Sequence, residues 1–168
     1  MKKIVVIGCP GAGKSTFARK LGDTLKLPLF HLDAIWHKAD RTHISREEFD
    51  QILGGILEKD AWIIDGHYSR TLERRIVASD TVFFFDLPVE ACLEGALSRV
   101  GQTRKDMPWV DDALDPNLKR EIEGFAIQNR PVVYELLEKY RSGKTVVILK
   151  SRAEADALIE QMASQQRI

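Results

Sequence analysis

The sequence has few cysteines and no excess of charge of either sign. Of its 168 residues only two are cysteines, Cys9 and Cys92, and their separation matches no metal-ligand spacing. This argues against a disulfide framework and favours reduced thiols in a cytoplasmic protein. Lys and Arg number 25, and Asp and Glu also number 25. No global positive field therefore draws the chain onto nucleic acid or an anionic membrane, although a local basic patch remains compatible with this balance.

Long apolar runs are also missing. No segment approaches the ~20 apolar residues of a membrane-spanning helix. The apolar run at residues 4–7 is shorter than the roughly seven to fifteen residues of a secretory signal, and polar residues follow it at once, so we interpret it as a buried strand. A composition of 44% hydrophobic and 30% charged residues is ordinary for a globular protein. The length fits a single domain over residues 1–168.

Short apolar runs alternate with segments of helical periodicity. Strands are predicted at residues 4–7, 29–32, 62–64, 81–85 and 145–149. Capping boxes predict helix starts at Ser45 and Ser151, and Pro88 predicts another. One long helix is predicted from Leu118 to Tyr140, with a kink at Pro131. The alternation predicts a parallel sheet with helices on both faces.

A glycine-rich loop is the most specific motif. The pattern G-x-x-x-x-G-K-[ST] is matched in full, between a predicted strand and a predicted helix, by Gly8-Cys9-Pro10-Gly11-Ala12-Gly13-Lys14-Ser15. Glycines let successive N–H groups point at phosphate oxygens, and the helix N-terminus adds its dipole. The motif predicts binding of ATP or a similar nucleoside triphosphate with Mg²⁺ by Gly8, Pro10, Gly11, Ala12, Gly13, Lys14, Ser15 and Thr16. Lys14 would reach the β- and γ-phosphates and Ser15 would ligate Mg²⁺; the alternative is a glycine-rich turn with a solvated lysine.

Aspartates follow three of the predicted strands. Ligands of parallel sheets bind beyond the carboxyl ends of the strands, so Asp65 is expected to face the loop and to hold Mg²⁺, through a water. Asp33 can orient an acceptor hydroxyl, act as its base or help to organise Mg²⁺. A turn role for Asp65 and a helix-cap role for Asp33 are the alternatives. For Asp86, which lies just before Pro88, a helix N-cap is favoured over catalysis.

Phosphoryl transfer requires positive charge around the transferred group, so arginines in mobile segments are candidates for the site. The candidates for contact with phosphate are Arg70, Arg99, Arg104 and Arg130. For each of them the alternative is a solvated position on the surface. Arg74 and Arg75 are weaker candidates. Trp36 and His37 lie where an acceptor can be held, with a core or surface role equally compatible. Residues 101–117 are polar and broken by glycine and proline, which predicts a loop or a short lid at about residues 100–115.

With these residues in view, the chain resembles the adenylate-kinase-related branch of P-loop kinases, and within it the group named DNA topology modulation proteins. The resemblance covers nearly the whole chain and rests on the glycine-rich loop and on Leu32-Asp33-Ala34, Trp36, Trp62-Ile63-Ile64-Asp65-Gly66-His67-Tyr68, Phe84-Phe85-Asp86-Leu87-Pro88, Gly101-Gln102-Thr103-Arg104-Lys105-Asp106-Met107 and Asn129-Arg130-Pro131. The stretch from Gly101 to Met107 is far more specific to this group than the glycine-rich loop, which many families share.

The resemblance implies a three-layer α/β/α fold with a five-stranded parallel sheet in the order 2-3-1-4-5. It implies an acceptor-binding region near residues 34–60 and lid arginines at Arg99 and Arg104. Arg70 would fall near the arginine that binds the acceptor phosphate in nucleoside monophosphate kinases. The stretch between Asp65 and Arg70 has one more residue than in those kinases and lacks their proline. The acceptor therefore stays open between a nucleotide and another small molecule.

Two functions are compatible with these patterns. The first is an ATP-dependent kinase acting on a nucleotide or a small hydroxyl-bearing molecule; shikimate kinase, which is similar in size and architecture, makes a hydroxyl acceptor credible. The second is a nucleotide-binding regulator of DNA topology without small-molecule turnover, against which the zero net charge argues. We expect a monomer or a weak dimer, with no nucleic acid or membrane as a partner.

Overall fold

The structure, a computed structural model, describes residues 1–166. Strands and helices alternate along this part of the chain. The strands are β1 (Lys3–Gly8), β2 (Leu29–His31), β3 (Trp62–Asp65), β4 (Thr81–Phe85) and β5 (Thr145–Leu149). The helices are α1 (Lys14–Leu25), α2 (Leu32–Trp36), α3 (Arg46–Leu57), α4 (Ser69–Ala78), α5 (Val89–Leu97), α6 (Pro116–Gln128), α7 (Arg130–Tyr140) and α8 (Arg152–Gln165). Within residues 1–166, no helix is long and apolar enough to cross a membrane.

The five strands form one sheet in the order β2-β3-β1-β4-β5, and every neighbouring pair is parallel. The predicted fold class and strand order are therefore confirmed. The central strand β1 is fully buried from Ile4 to Ile7, as its continuous apolar run requires when helices cover both faces of a sheet. The register sets Asp65 beside Val6 and His31 beside Asp65, so the carboxyl ends of β1, β2 and β3 meet at one edge.

Some of the sequence predictions of helix boundaries are correct and others are wrong. The helix starts predicted at Ser45 and Ser151 are confirmed, because each serine is an N-cap whose hydroxyl accepts a hydrogen bond at 3.1 Å from the backbone N–H three residues later. The single helix predicted from Leu118 to Tyr140 is wrong, since the chain forms α6 and α7 with Asn129 between them. Proline has no N–H and clashes with the preceding turn, so Pro131 lies in the first turn of a new helix rather than inside a continuous one.

The N-cap predicted at Asp86 is also wrong. The cap position of α5 is Pro88, and Asp86 is instead buried at the end of β4. Its carboxylate accepts hydrogen bonds from Arg130 Nε at 2.5 Å, Tyr134 OH at 2.7 Å and Lys150 Nζ at 2.5 Å. A buried carboxylate needs such partners, and here they join the end of β4 to α7 and to the residue after β5. These contacts hold the pKa of Asp86 below its usual value against the opposing effect of burial.

Candidate active site

The glycine-rich loop wraps around Lys14, the lysine of its motif. Gly13 has φ of 103° and occupies the N-cap of α1, and Gly11 has φ of 81°, both in the left-handed region that side chains disfavour. Lys14 is only 8% exposed, and its Nζ donates a hydrogen bond to the Cys9 carbonyl at 2.8 Å. Burial lowers the pKa of Lys14, and the charge of Asp65 opposes that effect. The loop thus holds a poorly solvated cation, which a phosphate would complement.

Two helices support the loop from outside. Arg152, at the start of α8, donates from Nη2 to the Gly11 carbonyl at 2.8 Å and to the Ala91 carbonyl at 2.7 Å. It therefore ties the loop to the first turn of α5. Gly11 and Gly95 of α5 pack so closely that a Cβ on either would overlap backbone of the other segment. No sequence motif marks Arg152 or Gly95, because both act through contacts distant along the chain.

A cavity of about 420 Å³ opens beside the loop, within the size range of small-molecule sites. Gly13, Thr16 and Arg99 line it together with Arg152. Its position next to the N-terminus of α1 suits the nucleoside part of a triphosphate whose phosphates occupy the loop. Among the four arginines predicted to contact phosphate, Arg99 is the one that lines this cavity.

Asp65 lies next to the loop, as its place after β3 predicts. Its Oδ2 accepts hydrogen bonds at 2.7 Å from Ser15 Oγ and at 2.7 Å from His31 Nδ1, which must carry the proton because the carboxylate only accepts. Its Oδ1 is buried without a hydrogen-bond partner among residues 1–166. A hydroxyl beside an unsatisfied carboxylate oxygen fits Mg²⁺, which binds through few protein groups and keeps waters and phosphate oxygens as ligands. Ser15 and Asp65 are therefore the residues that would hold the metal.

The second predicted carboxylate, Asp33, faces an aromatic wall. Tyr68 donates from its hydroxyl to Asp33 Oδ1 at 2.7 Å. The Tyr68 ring stacks on Phe49 with centroids 5.5 Å apart and meets Trp36 edge-on at 6.5 Å. Asp33 lies within the first turn of α2, and the N-cap of that helix is His31. The alternative interpretation of Asp33 as a helix cap is therefore wrong.

A fully buried arginine fixes the turn that carries Tyr68. Arg75 donates to the carbonyls of Gly66, His67 and Tyr68, which are consecutive in the chain. Tyr68 has φ of 37°, a strained value for a residue with a side chain, and these hydrogen bonds help to maintain it. Sequence reasoning ranked Arg75 below Arg70, because nothing local distinguishes an arginine that will be buried from one that will be solvated.

The remaining predicted arginines are already engaged with other groups. Arg70 forms a bidentate ion pair with Asp50 on the exposed surface, from Nη1 to Oδ2 at 2.9 Å and from Nη2 to Oδ1 at 2.7 Å. Arg130 is held by Asp86. Arg104 lies 3.4 Å from Asp106 in the segment predicted as a lid. These pairings occupy donors of Arg70 and Arg130, and the contacts with phosphate predicted for both arginines stay predictions.

The segment predicted as a lid touches the region predicted to bind an acceptor. Trp109 meets the His37 ring edge-on with centroids 5.1 Å apart, and the Arg41 guanidinium lies 5.6 Å from the centre of its ring. Arg41 also donates to the Val110 carbonyl at 3.2 Å. These contacts connect the segment between α5 and α6 to the connection between α2 and α3.

His67 gives the site a measurable dependence of stability on acid. Burial, followed by the charges of Lys14 and Arg75, lowers its pKa from 6.5 to about 3. The unfolded chain takes up a proton near pH 6.5, whereas the folded chain takes it up only near pH 3, so stability is full above 6.5 and falls as the pH decreases toward 3. Between about pH 7.5 and about pH 5 we expect the free energy of unfolding to fall by about 2 kcal/mol more in the wild type than in His67→Gln, as measured by urea denaturation. An equal fall in both proteins would mean that His67 is not held neutral.

Comparisons with known proteins show similarity to shikimate kinases. No family model matches the chain. A shikimate kinase of Rhodococcus jostii (strain RHA1) is 54% identical over 41 residues, which are 24% of this chain and 24% of that protein. A shikimate kinase from Acinetobacter baumannii in complex with shikimate superposes with a TM-score of 0.62 at 16% identity, covering 98% of this chain and 92% of the other.

The shikimate kinase from Bacteroides thetaiotaomicron gives a TM-score of 0.58 at 15% identity, covering 98% of both chains. Identities this low establish the fold alone. The sequence match spans about a quarter of the curated relative, so it does not extend to that protein as a whole. The chain therefore has the fold of these shikimate kinase structures, with its glycine-rich loop next to Asp65.

Proposed function

We propose that this protein is an ATP-dependent kinase that transfers the γ-phosphoryl group to a small hydroxyl-bearing molecule, with Mg²⁺ as its metal. The observation that carries the proposal is the meeting of three groups at one edge of the sheet. Lys14 and Ser15 begin α1 after the loop that follows β1, Asp65 ends β3 and pairs with Ser15, and Asp33 lies in α2 directly after β2. A triphosphate, a divalent ion and an acceptor require these three kinds of group.

In this proposal the N–H groups of the loop and Lys14 hold the β- and γ-phosphates in position. Mg²⁺, held by Ser15 and Asp65, would neutralise charge on these phosphates. The acceptor oxygen forms a bond to the γ-phosphorus while the bond from that phosphorus to the bridging oxygen of ADP breaks. The hydroxyl proton passes to Asp33 Oδ2, the oxygen that Tyr68 leaves open. Arg99, which lines the cavity beside the loop, contributes positive charge together with Arg104.

The comparisons support a hydroxyl acceptor, because a neighbour of the same fold binds shikimate. They give no support to the resemblance with the DNA topology modulation group, since the relatives reported above are shikimate kinases. The balanced charge likewise offers no field for DNA. A lid at about residues 100–115, an acceptor region near residues 34–60 and a cytoplasmic location remain predictions.

The proposal predicts ADP production that depends on an acceptor. Purified protein with Mg²⁺-ATP should form ADP faster by about tenfold or more when one member of a panel of nucleosides, nucleoside monophosphates, sugars, polyols and hydroxy acids is added. Asp65→Asn should lower that stimulated rate by about 100-fold while ATP affinity, measured by titration calorimetry, changes far less. ATP that binds tightly but is consumed at the same rate with every compound would argue for a nucleotide-binding regulator instead.

A further inference from the structure

A histidine contacts the carboxylate that would hold Mg²⁺. His31 Nδ1 lies 2.7 Å from Asp65 Oδ2, and the two side chains are only 13% and 4% exposed. Because an ionised carboxylate can only accept hydrogen bonds, Nδ1 carries the proton and donates it. No motif marks His31 in the sequence, since its partner lies 34 residues further along the chain. The contact arises only when the strands pair.

The pairing of β2 with β3 brings these two side chains together. His31 and Asp65 are direct partners in the parallel register, and each is the last residue of its strand. Side chains alternate between the two faces of a sheet, so residues paired in this way share a face. His31 is also the N-cap of α2, and the fully buried Leu32 follows it. The backbone of His31 is therefore held between a strand and a helix, which position a side chain more precisely than a loop does.

The hydrogen bonds to Asp65 are distributed unevenly between its two oxygens. Oδ2 accepts from His31 Nδ1 and from Ser15 Oγ, each at 2.7 Å. Oδ1 is buried and has no hydrogen-bond partner within residues 1–166. A buried carboxylate oxygen without a donor is unfavourable, and Mg²⁺ in protein sites keeps waters that can donate to such an oxygen. The two donors on Oδ2 thus leave Oδ1 as the oxygen available to the hydrated metal.

The same arrangement determines what Ser15 can offer to a cation. A serine hydroxyl has one proton and two lone pairs. Its proton is donated to Asp65 Oδ2, so the lone pairs of Oγ remain available to Mg²⁺. A rotation of the Asp65 carboxylate would remove the acceptor of Ser15 and turn Oδ1 away at the same time. The orientation of this one carboxylate therefore governs both groups that the metal requires.

From these contacts we infer that His31 is a positioning residue for the metal site, whose Nδ1–H fixes the orientation of the Asp65 carboxylate and thereby strengthens the binding of Mg²⁺ with the nucleotide. The inference rests on the kinase function proposed above. Side chains that orient metal ligands through hydrogen bonds typically contribute about 10- to 100-fold to metal affinity. If His31 served only to satisfy a buried carboxylate, its loss would lower stability and leave the metal unaffected.

The gain in nucleotide affinity that Mg²⁺ provides tests the inference without turnover. Titration calorimetry would measure the Kd of the β,γ-imido analogue of ATP, once with Mg²⁺ and once with EDTA. His31→Leu removes the donor and keeps a side chain in the largely buried position. We expect the ratio of the two Kd values to shrink by about tenfold or more relative to the wild type, while the Kd in EDTA stays within about twofold. The unchanged Kd in EDTA would show that the loop itself is intact.

Two outcomes of this titration have different meanings. A wild-type protein that did not bind the analogue at all would remove the proposed function. Binding that Mg²⁺ strengthens to the same extent in the wild type and in His31→Leu would overturn only the role given to His31, and the kinase function would stand.

Asparagine at the same position is the conservative variant. The amide nitrogen of asparagine is bonded to Cγ, as Nδ1 is in histidine, so it can donate from nearly the same place. His31→Asn should therefore recover most of the gain from Mg²⁺ that His31→Leu loses. An equal loss in both variants would mean that the hydrogen bond to Asp65 is not what the histidine contributes, and the inference would fail.

Thr81→Val is the matched control at the opposite end of the sheet. Thr81 begins β4 and is 1% exposed, and its Oγ1 donates to Asp80 Oδ1 at 2.7 Å. Valine has the same shape and no hydroxyl, so this variant also loses a donor to a carboxylate. We expect the midpoint of urea denaturation to fall in Thr81→Val, with the gain from Mg²⁺ as in the wild type. A loss of that gain as large as in His31→Leu would tie it to stability instead of to Asp65, and would contradict the inference.

Discussion

Replacement of Lys14 by methionine is expected to remove ATP binding while making the protein without nucleotide more stable. The lysine supplies the positive charge at the β- and γ-phosphates, and loss of such a group costs about 100-fold or more in affinity and turnover. Lys14 is nevertheless 8% exposed, and burial lowers its pKa. A buried cation destabilises the folded state unless it is fully paired, and in the structure Nζ donates to one carbonyl, that of Cys9. Methionine has a similar shape and no charge, so the free energy of unfolding should rise by about 1 kcal/mol.

Titration calorimetry with Mg²⁺-ATP and urea denaturation would measure the two effects. Lys119→Met is the matched control, because Lys119 is exposed and pairs with Glu123 on the surface of α6. A surface pair contributes little, so this variant should keep the ATP affinity and change stability by no more than about 0.5 kcal/mol. A Lys14→Met protein that bound ATP normally would remove the basis of the proposed function. One that bound no ATP but was destabilised would show that the buried charge is not a cost to the fold.

Local patterns were sufficient to predict the sheet and the loop. The continuous apolar run at residues 4–7 is typical of a strand in a sheet that helices cover on both faces. The glycines after it are typical of a loop whose backbone N–H groups converge on an anion. Asp65 was found by the rule that the carboxyl ends of parallel strands share an edge. The strand order came from the resemblance and not from periodicity, because periodicity does not say which strands are neighbours.

Partners that are distant along the chain could not be predicted in this way. Asp86 was assigned to a cap from its neighbour Pro88, whereas its actual partners Arg130 and Lys150 lie 44 and 64 residues away. Arg70 and Arg75 lie in the same helix, yet one is solvated and the other completely buried. An arginine in a sequence shows only that donors are present, and tertiary packing decides whether phosphate, carboxylate or backbone carbonyls receive them.

Replacement of Gly95 by alanine is expected to damage the loop, although alanine normally stabilises a helix. Within a helix, alanine is favoured over glycine by about 1 kcal/mol. A Cβ on Gly95, however, would overlap the carbonyl oxygen of Gly11 and crowd the guanidinium of Arg152. Backbone cannot move away as a flexible side chain can, so α5 and the loop must separate, at a cost of about 1–3 kcal/mol. The hydrogen bond between Arg152 and the Gly11 carbonyl would be strained at the same time.

Gly55→Ala is the control that separates the effect of helix propensity from the effect of the contact between Gly95 and Gly11. It lies within α3, and a Cβ there would meet nothing within 4 Å. Gly55→Ala should therefore raise the free energy of unfolding by about 0.5–1 kcal/mol and leave ATP affinity unchanged. Gly95→Ala should lower the free energy of unfolding and weaken ATP binding by about tenfold or more, because the N–H groups of the loop no longer converge on one phosphate position. If both variants were stabilised equally, α5 would not constrain the loop, and the positioning of the phosphate site would have to come from β1 and α1 alone.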